Sequence, residues 1–158
     1  MAIAPDGRLA LSGSYDESLV LWHLNSGTPI RTLEGHKAYI HSVAFSPDGL
    51  SALSGGYDCV MRLWNVGTGE LIRASTGHKE GIETVAFAPD GRTALSGDGD
   101  DTLRVWDLST GNNVHSIQKH FGWVTSLAMM RDGNTTLAGI SGYHPILWDI
   151  AGSKVIRW

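Results

Sequence analysis

Short runs that alternate apolar and polar residues follow one another along the whole chain, separated by clusters of Gly, Pro and Asp. Ile-His-Ser-Val-Ala-Phe-Ser occupies 40–46, Ser-Ala-Leu-Ser-Gly 51–55, Val-Met-Arg-Leu-Trp-Asn-Val 60–66 and Leu-Ile-Arg-Ala-Ser 71–75. No run carries the period of a helix, and the lengths and residue types predict β-strands. Pro47-Asp48-Gly49, Gly56-Tyr57-Asp58 and Gly67-Thr68-Gly69 stand between them. Proline pre-sets the backbone for a tight turn and glycine accepts the left-handed conformation that follows. Four strands joined by three such turns predict one antiparallel sheet.

That sheet recurs. Trp22, Trp64, Trp106 and Trp148 are spaced 42 residues apart. Pro-Asp-Gly begins at Pro5, Pro47 and Pro89, and Arg131-Asp132-Gly133 fills the fourth place at the same 42-residue spacing. A repeat of this length is a unit that cannot bury its own apolar face and must stack on its neighbours. Four sheets are expected, in units 1–34, 35–76, 77–118 and 119–158, all in one domain with no linker. The first inner strand is clipped: Met1-Ala2-Ile3-Ala4 stands where the second unit has Val43-Ala44-Phe45-Ser46.

The Gly-His opening (Gly35-His36, Gly77-His78), the Ser/Ala-Pro-Asp-Gly turn, the Leu-Ser-Gly strand and the Trp-Asp or Trp-Asn ending resemble the WD repeat (WD40) of β-propellers. The resemblance spans the chain. It implies an all-β fold of four four-stranded antiparallel blades, stacked around a central channel. It also implies a hydrogen-bond network inside each blade, linking Trp64, Ser54, His36 and Asp58 in the second and Trp106, Ser96, His78 and Asp100 in the third. An indole N–H can give to the serine oxygen, the hydroxyl to one imidazole nitrogen, and the other ring N–H to the carboxylate. The same Ser, His and Asp are the residue types of a hydrolase triad. Their copying at a fixed spacing argues for a structural role, and without a cleft and an oxyanion hole the trio does not indicate catalysis. The first unit keeps Ser12, Asp16 and Trp22. The fourth keeps His120 and Trp148 but has Ala138 and Gly142 for Ser and Asp, and Pro145 inside the third strand. It is expected to be the loosest blade.

Aligning the repeats on one another separates scaffold from variable positions. Ile40, Val43 and Phe45 match Ile82, Val85 and Phe87, and are packing positions. Between them the residues change freely: Tyr39, Gly81 and Trp123 at one position, His41, Glu83 and Thr125 at another, and Tyr15, Tyr57 and Gly99 before the turn Asp. The resemblance puts these on the top face near the channel. The expected protein-binding surface is therefore Tyr15, Tyr39, His41, Tyr57, Glu83, Trp123 and Thr125, since exposed aromatic rings are frequent interface anchors.

Composition adds limits. Net charge is −4 with no Lys/Arg cluster, so neither nucleic acid nor an anionic membrane is an expected partner. There is no signal-type segment and no apolar run of spanning length. One cysteine, Cys59, suits a small strand residue and a reducing, cytoplasmic setting. Glu80, Glu83, Asp98, Asp100 and Asp101 form an acidic group in the third unit. A solvated rim is preferred for it over a docking site for a basic peptide. Seven histidines lack ligand spacing, so no metal and no cofactor is expected.

Propellers of the resembled family close with more than four blades, commonly about seven or eight. An open arc would leave two apolar faces in water, and two copies closing one eight-bladed ring would cover them. Trp158 stands where the other units have Thr32, Ala74 and Ser116, at the expected joint. The expectation is a non-catalytic scaffold that binds a protein or peptide through its top face, closed as a homodimer. The alternative is a structural self-assembly module or a fragment of a larger multidomain protein.

Overall fold

The computed structural model describes residues 1–118, 122–152 and 154–157. Its strands fall into four four-stranded antiparallel sheets. The first holds β1 (Ala2–Ile3), β2 (Leu9–Gly13), β3 (Leu19–His23) and β4 (Thr28–Leu33). The second holds β5 (Ile40–Phe45), β6 (Ser51–Gly56), β7 (Val60–Asn65) and β8 (Leu71–Thr76). The third holds β9 (Ile82–Phe87), β10 (Thr93–Asp98), β11 (Thr102–Asp107) and β12 (Asn113–Gln118). The fourth holds β13 (Val124–Met129), β14 (Thr135–Ile140), β15 (Ile146–Asp149) and β16 (Lys154–Arg157). Each sheet is paired in chain order, as hairpins dictate. Among the described residues there is no helix, so none is long and apolar enough to cross a membrane.

Turn chemistry acts where the sequence puts it. Gly7, Gly49, Gly91 and Gly133 take φ of 70°, 73°, 66° and 69°, the left-handed conformation that only glycine adopts without steric cost. The opposite hairpin end is less orthodox. Glu17, Cys59 and Asp101 hold φ of 71°, 61° and 58° without being glycine, at one register position in three blades. The fourth blade uses Gly142 there, one residue earlier, and its β15 begins only after Pro145.

The core lies between blades. Leu11, Leu19, Leu21 and Leu33 of the first sheet pack on Ile40, Val43, Trp64 and Val66 of the second. Leu53, Met61 and Leu63 then pack on Ile82, Val85, Trp106 and Leu108, and Leu95, Leu103, Val105 and Ile117 on Val124, Ile140, Trp148 and Ile150. Each blade thus presents a leucine-rich forward face to its neighbour's tryptophan-bearing rear face. Glycine makes the approach close. A Cβ on Gly13, Gly55 or Gly97 would overlap Ile40, Ile82 or Val124 of the next blade. Outside the core, Arg73 of β8 reaches across to donate to the carbonyls of Ser109 (2.8 Å) and Thr110 (3.0 Å) in the next blade.

Two bulges recur. One sits on the inner strand and leaves His41, Glu83 and Thr125 without a partner across the ladder. The other sits on the outer strand and leaves Ile30, Ile72, Val114 and Ile156 unpaired. A bulge twists and interrupts an edge strand, which protects it from pairing with another chain.

Candidate functional site

The inner-strand bulge builds the site. An extra residue between two ladder pairs re-aims its side chain away from the sheet face. His41, Glu83 and Thr125 are those residues, at the end of the sheets where the 15–17, 57–59 and 99–101 turns lie. Backbone bonds tie the residue two places before each of these to the turn of the same blade. The Tyr57 amide donates to the Tyr39 carbonyl at 2.8 Å, Gly99 to Gly81 at 3.1 Å and Ser141 to Trp123 at 2.9 Å. The three variable positions of each repeat therefore meet at one edge.

In the first two blades they meet as rings. Tyr15 lies 5.1 Å from Tyr39 and 5.6 Å from His41, centroid to centroid. Tyr57 lies 5.0 Å from His41 and 6.1 Å from Tyr39. All four rings are tilted against one another, an arrangement favoured by the aromatic quadrupole. They remain accessible: Tyr15 is 68%, Tyr39 49% and Tyr57 49% exposed. Glu83 joins from the third blade, its carboxylate 3.2 Å from His41 Nδ1. The Tyr57 ring comes to rest over Gly81, where a Cβ would sit 3.2 Å from it. Of the seven expected surface residues, five are thus brought together. Trp123 and Thr125 are exposed but stand apart: Trp123 has no ring partner among the described residues, and Thr125 donates to the Gly139 carbonyl of its own sheet at 3.2 Å.

Beneath this edge lie the polar networks. In the second blade Trp64 Nε1 donates to Ser54 Oγ at 2.8 Å, and Ser54 Oγ lies 2.6 Å from His36 Nε2. His36 Nδ1 faces both Asp58 oxygens at 3.1 Å, and the Lys37 amide also donates to Asp58 at 3.1 Å. Arg62, absent from the sequence-based network, donates to Asp58 at 2.7 Å and lies 2.8 Å from His36 Nδ1. Burial lowers the His36 pKa, and the Arg62 charge adds to it against the pull of Asp58, so the imidazole stays neutral. Burial alone would raise Asp58, but His36, the Lys37 amide and Arg62 outweigh it and hold the carboxyl below the ordinary range. Gly35 fits here because a Cβ would sit 3.2 Å from the Trp64 ring.

The third blade corrects one expectation. Trp106 donates to Ser96 at 2.7 Å and Ser96 meets His78 Nε2 at 2.5 Å, but His78 Nδ1 pairs with Asp98, at 2.7 Å, and not with Asp100. Asp98 occupies the register place of Gly56. It is 1% exposed and accepts the Asp100 and Thr102 amides at 3.0 and 2.9 Å. With this nearer carboxylate in place, Asp100 stays at the surface. Arg104, in the register place of Arg62, turns over the Trp106 ring at 6.0 Å and donates to the Gly77 carbonyl at 2.9 Å. Burial would raise Asp98, but the His78 hydrogen bond and the Thr102 amide hold it low.

The outer networks are shorter. In the first blade Trp22 donates to Ser12 at 2.7 Å, while Asp16 is exposed and accepts the Ser18 amide at 3.0 Å. In the fourth, Ala138 offers nothing and the buried Trp148 indole N–H has no partner among the described residues. His120 and Trp158 lie outside the described residues. Among the described residues no group of three His, Cys, Asp or Glu side chains has the geometry to hold a metal ion.

Arg62 and Asp98 were missed for one reason. Each is a strand residue whose partner is fixed by cross-strand register, which no local motif announces. The recurrence of a charged residue two before Trp64 and Trp106, at Arg62 and Arg104, was the available signal.

Comparison with known proteins agrees with the geometry. The family described as WD domain, G-beta repeat matches residues 1–23, 27–65 and 69–107. "Dynein assembly factor with WD repeat domains 1" from Macaca fascicularis and from Homo sapiens are each 38% identical to this chain over 45 residues. The match covers 28% of this chain and 11% of each of those proteins. With three matched repeats and four four-stranded sheets of the same register, the chain belongs to the WD-repeat family.

Proposed function

We propose that this chain is a non-catalytic scaffold that binds a protein or peptide partner through the edge bearing Tyr15, Tyr39, His41, Tyr57 and Glu83. WD-repeat domains in general mediate protein interactions. The observation that carries the reading is the contiguous row of exposed rings across two blades. Large, stiff aromatic side chains bury much area for little lost entropy, so they are favoured as interface anchors. A hydrolytic role is disfavoured by burial: Ser54 and Ser96 are fully buried with their hydroxyls already engaged by Trp and His. The relatives' name speaks of dynein assembly, but a 45-residue match is about one blade of common scaffold and does not identify a partner. The single free cysteine, Cys59, suits a reducing compartment, and we take the cytoplasm as the setting. The test is selection of binders from a displayed random-peptide library on the purified chain, followed by measurement on Tyr39→Ala and Tyr57→Ala. Binding that drops at least tenfold in both variants supports the surface, and binders indifferent to both overturn it.

A second reading concerns assembly and rests on the end faces. On the forward face, Leu11, Leu53 and Leu95 are 0–1% exposed, but Leu137 of the fourth blade is 44% exposed. On the rear face, Val66, Leu108 and Ile150 are 6–8% exposed, but Leu24 of the first blade is 39% exposed. The two open faces are complementary halves of the interface formed three times inside the chain. A second copy fits both at once, and the proposal is an eight-bladed ring of two chains. Light scattering on a size-exclusion column should give about twice 17.0 kDa. A mass of one chain across the concentration range would assign the cover of these faces to something other than a second copy.

A further inference from the structure

We infer that Arg157 of one chain closes over the Asn25-Ser26-Gly27 turn of a second copy, so that an arginine laid on a glycine turn decides which blades meet at the joint. This rests on the two-chain ring proposed above and names the residues that specify it.

The same contact is built twice inside the chain. Arg73 follows the outer-strand bulge of the second blade and pairs with Leu63 in the ladder. It donates to the Ser109 and Thr110 carbonyls of the next blade at 2.8 and 3.0 Å. Its stem lies on Gly111, where a Cβ would overlap Arg73 Cδ. Arg31 holds the same register place in the first blade, opposite Leu21, and a Cβ on Gly69 of the second would sit 2.7 Å from Arg31 Cδ. The receiving turn therefore needs glycine twice over. Gly69 and Gly111 take φ of 79° and 77°, and the arginine stem fills the room a side chain would use.

The chain changes both halves of this pair together. In the third blade His115 stands in the arginine place, opposite Val105, and the receiving position of the fourth blade is Ser153. In the fourth blade the arginine returns as Arg157, opposite Leu147, and the matching position of the first blade is Gly27. That turn is uncovered. Beyond its chain neighbours, nothing among the described residues comes within 4 Å of a Cβ on Gly27, and no donor among them reaches the Asn25 or Ser26 carbonyl. Gly27 also borders an open apolar hollow of about 230 Å³ on the rear face, lined with it by Met1, Ala10, Trp22 and Leu24. The two ends of the chain thus carry the two halves of one internal joint. They meet when the fourth blade of one copy lies on the first blade of the other, and not when first meets first. A two-fold ring makes that joint twice.

The dissociation constant of the dimer, read by light scattering over a dilution series, tests this. Arg157→Ala removes the contact from both joints and should raise the constant about a hundredfold, with an unchanged circular dichroism spectrum. Arg157→Lys keeps the charge but loses the fork that spans two carbonyls, and should raise it about tenfold. Gly27→Asn tolerates the positive φ while filling the room for the stem, and should also raise it about tenfold or more. Arg73→Ala deletes the same contact inside the chain and should leave the constant within about twofold. A dimer broken by Leu137→Asp but held as tightly in the Arg157 and Gly27 variants overturns the arginine contact and leaves the ring standing. A chain that stays monomeric, or a dimer indifferent to all of these variants, overturns both.

Discussion

The second and fourth blades have the same strand order and inner bulge and nearly the same turns, yet their interiors differ. In the second, Trp64, Ser54, His36, Asp58 and Arg62 satisfy one another, all of them buried but the half-buried Asp58. In the fourth, the Trp148 indole N–H is buried with nothing among the described residues to receive it, because Ala138 stands where Ser54 does. The forward face of the second blade is sealed by the third, while Leu137 and Pro145 of the fourth face solvent. Turn chemistry and apolar alternation are thus enough to make a blade. The polar network is a separate layer that fixes how tightly a blade is specified.

The largest effect expected from breaking this difference is in the second blade. Asp58→Ala leaves Arg62 buried without a carboxylate, and should cost about 3–5 kcal/mol in urea unfolding. Next come the packing pair. Leu53→Ala should cost about 2–5 kcal/mol, and Leu137→Ala at the matching place less than about 1 kcal/mol in the single chain. In a closed ring the two costs should converge, so the pair also reports on assembly. A smaller contrast tests the corrected carboxylate. Asp98→Asn should cost about 1–3 kcal/mol by weakening the bond to His78, while Asp100→Asn should stay within about 0.5 kcal/mol. The smallest effect is a gain. Ala138→Ser gives the Trp148 N–H an acceptor and should raise stability by about 1 kcal/mol, with slower amide exchange over residues 136–150. Unchanged melting in that variant would mean that the missing serine is not what separates the two blades.

The folded state of the second blade also carries a sign in pH. His36 has a folded pKa below its unfolded value, so the unfolded chain takes the proton first and stability declines as pH falls below about 6.5. Asp58, also depressed, adds stability that is present above about 3.9 and lost as pH falls through its folded value. Both contributions favour neutral pH, and the fourth blade has no carboxylate at the corresponding place, Gly142, to add to them.

Much of the surface could be read from the chain because variation at a fixed register position is visible in an internal repeat. Tyr15, Tyr39, His41, Tyr57 and Glu83 were found that way, and the structure groups them. Trp123 was chosen by the same rule and has no ring partner among the described residues, because contact needs a ring on the preceding blade and Gly99 supplies none. The rule detects exposure and not adjacency.

The amino-acid order by itself determined the period, the turns and the strands, because these rest on contacts a few residues apart: glycine at positive φ, proline before it, apolar residues every second position. It also marked Ile40 and Val43, with their repeats Ile82 and Val85, as packing positions. Only the tertiary structure decided which aspartate pairs with His78, that Arg62 enters the second network, that bulges lift His41 and Glu83 to the edge, and that four rings meet while a fifth does not. Those outcomes depend on register between strands and on the approach of one blade to the next. A shift of one residue across a ladder moves a side chain to the other face, and no local sequence signal sets that shift.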